Sequence, residues 1–165
     1  MSTGASFARG SSKQDYSTPA VFIEAVKAKF SVARFDWDLA AHPSNAKAPR
    51  FFTEEEDAFS HRWDRECSGD CWLNPPFEGI PRWAKKCADT AFSSSRIFLL
   101  VPASVGSNWF AQHIYPHAHV AVLNGRITFD GMPVNPKTGK VDPYPKDCML
   151  CVYGMAPGFE IWRWK

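Results

Sequence analysis

The densest chemistry in this chain lies in Cys71-Trp72-Leu73-Asn74-Pro75-Pro76-Phe77. The apolar residues read as the end of a buried strand. Two prolines then stop the strand ladder, because neither can donate a backbone hydrogen bond. A carboxamide on Asn74, a free carbonyl on Pro75 and the ring of Phe77 are left at the carboxyl end of that strand, beside Pro76. Open α/β sheets bind their ligands at that edge. Two acceptors beside an aromatic face suit a planar group bearing an amine, such as a nucleobase. The plainer alternative is a rigid turn after a strand.

Three upstream patches offer related chemistry. Thr18-Pro19 places a hydroxyl at a helix start, where free amides suit a carboxylate, or where the hydroxyl is simply a helix cap. Asp38-Leu39-Ala40-Ala41 ends a strand with one carboxylate and small residues, leaving room for a ligand; a surface aspartate would read the same way. Asp57-Ala58-Phe59 offers a second carboxylate, or belongs to a solvated acidic run with Glu54, Glu55 and Glu56.

The elements that must position these residues follow from periodicity. Residues 1–14, rich in Ser and Gly, predict a flexible tail, and 15–165 a single domain. Ser17-Thr18-Pro19 predicts a capped helix start with Pro at the first helical position, and Phe22, Ile23, Val26 and Phe30 follow at helical spacing. Phe35 to Ala41 alternates like a strand, 42–53 reads as loop, and Glu54 to Trp63 as a short helix. Pro81 to Phe92 predicts a helix with Trp83, Cys87, Ala88 and Ala91 on one face. Ile97 to Val101 is a continuous apolar run, suited to a central strand covered on both faces. A short helix at Asn108 to Tyr115 and a strand at His119 to Leu123 follow. Residues 124–147, rich in Gly, Pro and Lys, read as an excursion. Cys148 to Tyr153 and Phe159 to Trp164 read as a closing antiparallel hairpin. The order is that of an α/β fold. No G-x-G-x-x-G and no Walker-type phosphate loop is present.

The joint pattern resembles the small phage-encoded DNA N6-adenine methyltransferases (Dam-like). It is carried by Tyr16-Ser17-Thr18-Pro19, Asp36-Trp37-Asp38-Leu39-Ala40-Ala41, Asn45-Ala46, Asp57-Ala58-Phe59 with Trp63, and Trp72 to Phe77. Val101-Pro102-Ala103, Trp109-Phe110 and Gly125-Arg126-Ile127-x-Phe129 complete it. The resemblance implies a Rossmann-like class I methyltransferase sheet, mostly parallel, with a terminal antiparallel hairpin. It implies S-adenosyl-L-methionine as cofactor, contacted by Tyr16, Thr18, Pro19, Asp38, Ala40, Asn45, Asp57 and Ala58. Asn74, Pro75, Pro76 and Phe77 would form the catalytic turn, with adenine flipped out of DNA to reach it. Arg50, Arg126, Lys137, Lys140 and Lys146 are candidates for contact with DNA, the last four within the 124–147 excursion. The same turn could serve cytosine N4, RNA or a protein glutamine, and a catalytically inactive nucleic-acid-binding module could share the fold.

Composition sets wider limits. Formal net charge is +2 and sequence pI about 8.3, too mild to demonstrate a nucleic-acid partner and not opposed to one. No apolar run approaches a membrane span, and the polar N-terminus does not read as an export signal. The expected compartment is the cytoplasm, that of a bacterial host if the chain is phage-encoded. The five cysteines are expected to be reduced. Cys148 and Cys151, three apart on a strand, would face opposite sides and chelate poorly. Pro116 interrupts any helix that would align His113, His117 and His119. No metal is expected.

Overall fold

The computed structural model describes residues 16–90 and 95–165. The expectation of a tail over residues 1–14 lies outside them. A seven-stranded sheet forms the middle layer, in the order β2-β1-β3-β4-β6-β5-β7. The strands are β1 (Trp37–Asp38), β2 (Arg50–Phe51), β3 (Asp70–Leu73), β4 (Arg96–Pro102), β5 (Ala118–Asn124), β6 (Cys148–Tyr153) and β7 (Gly158–Arg163). β2, β1, β3 and β4 pair in parallel. β6 runs antiparallel to both neighbours, and β5 pairs in parallel with β7.

Strand alternation divides the core. Ile97, Leu99 and Val101 of β4 face one side, with Trp83, Ala84 and Cys87 of α3 (Ile80–Asp89) and Phe110 of α4 (Asn108–His113). Phe98 and Leu100 face the other, where α1 (Ala20–Phe30) lays down Phe22, Ile23, Val26 and Phe30. Both faces of the inner strands are thus covered, which explains the unbroken apolar run of β4. Cys148 and Cys151 lie in opposite clusters, as strand periodicity requires. Arg96 clamps the layers together. Its guanidinium donates to both carboxylate oxygens of Asp70, at 2.7 and 2.8 Å, and to the carbonyl of Phe30 at the end of α1, at 3.0 Å. A cation there also complements the helix C-terminus. Among the described residues no helix is long and apolar enough to cross a membrane.

Several local expectations are corrected. β6 and β7 do not pair as a hairpin; they run in opposite directions with β5 between them. The reason is burial. All six residues of β6 are buried, so it needs neighbours on both edges, and β4 and β5 occupy them. β7 alternates partly buried and exposed residues, a pattern suited to an edge. The helix expected over 54–63 is instead a single 3₁₀ turn (Ala58–Ser60) followed by the short α2 (Trp63–Glu66). Asp57 sits at φ 48 and its carboxylate caps the turn through the Phe59 amide, so the helix cannot run through it. The loop expected over 42–53 contains the two-residue β2, too short to leave a periodic signal. α3 ends at Asp89, and Ala91 lies outside the described residues.

The 124–147 excursion has little regular structure, yet it is anchored. Its Ile127 and Phe129 are buried in the core. Asp130 forms a reciprocal backbone bridge with Ser17, N to O at 3.1 and 2.9 Å.

Candidate active site

The chain leaves β1 for β2 on one side and returns to β3 on the other. This reversal is a topological switch point, and such points open a crevice outside the carboxyl ends of the strands. Asp38 ends β1, and Asn74 follows the last residue of β3. Their strands are hydrogen-bonded neighbours, with Asp38 in register with Trp72. Register thus brings together two motifs that lie far apart in sequence.

Two hollows meet here, sharing Tyr16 and Asn74. One, of about 420 Å³, is lined by Tyr16, Asn74, Pro75, Phe77, Phe129 and Tyr144. The other, of about 250 Å³, is polar, and Thr18, Asp38, Ala40, Asn45 and Lys47 are among its lining.

The first hollow is an aromatic slot. The Phe77 ring is met edge-on by Tyr144 at 5.4 Å and Phe129 at 6.4 Å between centroids. Phe77 is itself only partly buried. Tyr144 is held by its backbone amide, which donates to the Ile127 carbonyl at 2.7 Å. Burial raises the pKa of the Tyr144 hydroxyl, keeping it protonated and able to donate.

Asp38 dominates the second hollow. It is 3% exposed, and its oxygens accept the backbone amides of Lys47 at 2.9 Å and Ala40 at 3.3 Å. Desolvation pushes its pKa up to about 6, against the opposing pull of those amides and of the Lys47 charge. At neutral pH it is therefore ionised, held at some cost, and suited to accept from a hydroxyl or ammonium group. Burial lowers the Lys47 pKa, opposed by the charges of Asp38 and Asp130. The ammonium donates to the Ser17 hydroxyl at 2.7 Å.

Thr18 does not cap α1. Pro19 occupies the cap position with ψ 144, and no side chain caps the helix. The buried Thr18 hydroxyl instead accepts a hydrogen bond from the Asn74 side-chain nitrogen at 3.1 Å.

Of the cofactor and catalytic residues expected from sequence, Tyr16, Thr18, Asp38, Ala40, Asn45, Asn74, Pro75 and Phe77 converge on the two hollows. Pro19 and Pro76 adjoin them in the chain. Asp57 and Ala58 line neither: Asp57 is exposed and caps its own turn, and the Ala58 carbonyl accepts the Trp63 indole N–H at 2.9 Å. The cationic candidates do not gather at the site either. Arg50 lies over the Trp37 ring at 5.8 Å, Arg126 is paired with Asp147 at 3.3 Å, and Lys137, Lys140 and Lys146 are exposed on the excursion.

Sequence reasoning missed Lys47, Phe129 as a wall of the slot, and Tyr144. Lys47 lies two residues beyond Asn45, and its charge, nine residues after Asp38, is the signal that points to it as a partner for that carboxylate. Tyr144, between two prolines, carries no local signal of its role. No group of three or more potential metal ligands occurs among the described residues. Burial raises the pKa of all five cysteine thiols, leaving them protonated and poor nucleophiles.

Fold and crevice define a mixed α/β protein with an amide-and-aromatic ligand cleft at its strand ends. The family profile of DNA N-6-adenine-methyltransferase (Dam) matches residues 6–155, and the chain belongs to this family. A DNA N-6-adenine-methyltransferase of Escherichia phage T1 is 24% identical over 115 residues, which are 70% of this chain and 47% of that relative. The chain thus spans about half the length of the curated relative it matches. The family match runs beyond Phe129, so it takes in the excursion and β6.

Proposed function

We propose that this protein methylates the exocyclic N6 amine of adenine in DNA, with S-adenosyl-L-methionine as donor, at the Asn74-Pro75-Pro76-Phe77 turn. The observation that carries the reading is the placement of Asn74 where an aromatic slot and a polar pocket meet. A reaction between two bound molecules needs both held side by side with the reacting atoms aligned, and adjoining pockets supply that. Family membership supports the chemistry. The parallel β2-β1-β3-β4 half, with its switch point, supports a Rossmann-like methyltransferase sheet.

The polar pocket offers the groups that would hold the donor. Asp38 offers an ionised acceptor, Ala40 leaves space, and Asn45 and Lys47 add polar groups. Bound there, it supplies an electrophilic methyl group. Everything else falls to the protein. The adenine amine is a weak nucleophile because its lone pair is delocalised into the ring. The Asn74 side-chain oxygen and the Pro75 carbonyl accept its two hydrogens, favouring a pyramidal nitrogen with an available lone pair. Phe77, with Tyr144 and Phe129 behind it, offers the base a stacking face, which requires the base to leave the duplex.

The test is transfer of labelled methyl groups from S-adenosyl-L-methionine to DNA, followed by digestion to nucleosides. Labelled N6-methyladenine is expected. Label in N4-methylcytosine, or no incorporation by folded protein, would refute the reading.

A further inference from the structure

We infer that Thr18, in the wall of the polar pocket, acts in the reaction as a positioning residue for Asn74. The inference rests on the proposal that Asn74 accepts the hydrogens of the target amine. A carboxamide has one acceptor oxygen and one donor nitrogen, and only the oxygen can receive an amine hydrogen. An untethered amide can rotate and present the wrong end. In this structure the Asn74 nitrogen donates to the Thr18 hydroxyl at 3.1 Å, leaving the side-chain oxygen for the substrate.

Thr18 can serve as an anchor because it is itself held. It is 1% exposed. The preceding residue, Ser17, is fixed from both sides: its backbone pairs with Asp130, and its hydroxyl accepts from the Lys47 ammonium at 2.7 Å. Pro19 then starts α1, whose buried Phe22 and Val26 lock the segment onto the sheet. The strap before α1, the excursion and the loop after β1 therefore all converge on the amide that faces the substrate.

Thr18→Val keeps the shape of the side chain and removes the acceptor, while Thr18→Ser keeps the hydroxyl. In Thr18→Val the Asn74 nitrogen loses its partner, and kcat for methyl transfer is expected to fall about 10- to 100-fold. KM for S-adenosyl-L-methionine should stay within about twofold, since the tether bears on orientation rather than donor binding. Thr18→Ser should recover most of the lost turnover, which a purely steric role for the methyl group would not allow. The opposite split, unchanged kcat with a raised KM for the donor, would overturn the inference and make Thr18 a donor contact.

A second measurement does not depend on turnover. Hydrogen exchange of the Asn74 side-chain amide, followed by NMR, should be slow in the wild type and Thr18→Ser and fast in Thr18→Val. Equal exchange in all three would overturn the tether even if turnover changed. Absence of methyl transfer by the wild type, with slow Asn74 exchange, would instead refute the proposed function and with it the catalytic role of a tether that exists.

Discussion

Asp38→Asn should change stability in a strongly pH-dependent way. Asp38 is almost fully buried, and desolvation raises its pKa from 3.8 to about 6. A carboxyl whose folded pKa lies above its unfolded one binds its proton more tightly in the native state. Its contribution is therefore fully present below pH 3.8, declines as pH rises toward 6, and is lost above it. The rise corresponds to about 3 kcal/mol of native stability given up at neutral pH. Asparagine carries no charge and does not titrate. It can, however, accept only one of the two amides that Asp38 accepts, from Lys47 and Ala40, and the mismatch costs about 1–3 kcal/mol at every pH. The pH-independent cost sets the offset and the titration sets the slope. Relative to wild type, Asp38→Asn should gain about 3 kcal/mol between pH 3.5 and pH 7.5, less stable than wild type at the acid end and close to or above it at the neutral end. Urea unfolding of both proteins across that range measures the difference directly. A difference that stays constant with pH would refute the claim that burial raises the Asp38 pKa. Titration of S-adenosyl-L-methionine at pH 7.5 gives the functional counterpart: weakened binding is expected in the variant that is no longer penalised for a buried charge.

Other outcomes follow from the same geometry. Asn74→Ala removes an acceptor from the junction of the two pockets and should lower methyl transfer roughly 30- to 1,000-fold with melting little changed; near-normal turnover in the folded variant would rule out the assignment. Phe77→Ala should weaken productive DNA engagement by about 1–3 kcal/mol while sparing donor affinity, because the ring is only partly buried. A melting collapse in this variant would show that the ring serves packing instead. Gly154 follows β6 at φ +93, and an added Cβ would stand 2.3 Å from the Ser95 carbonyl oxygen. Gly154→Ala should therefore destabilise by more than about 1 kcal/mol in thermal or urea unfolding, and a neutral effect would contradict the path by which the chain leaves β6.

The sequence determined the parts whose signal is local. The buried faces of α1 and α3 and the apolar run of β4 follow from periodicity, since a side chain's face is set by its position in a repeating backbone. The Asn74-Pro75-Pro76-Phe77 turn was legible because proline removes ladder donors wherever it stands. Asp38 and Thr18 were legible as polar residues at element ends, but not what they touch. That Thr18 holds Asn74 rather than capping α1 depends on the register that brings the end of β3 against the strap before the helix. The strand order had the same limit. β6 and β7 are sequence neighbours joined by a short turn, which reads as a hairpin. Only the whole sheet decides that the fully buried β6 takes the inner place between β4 and β5, leaving the half-exposed β7 the edge. Tyr144 entered the site for a similar reason. Long-range packing carries this loop residue to a pocket that no spacing along the chain encodes, because its partners Phe77 and Phe129 are fixed by the fold and not by sequence neighbours.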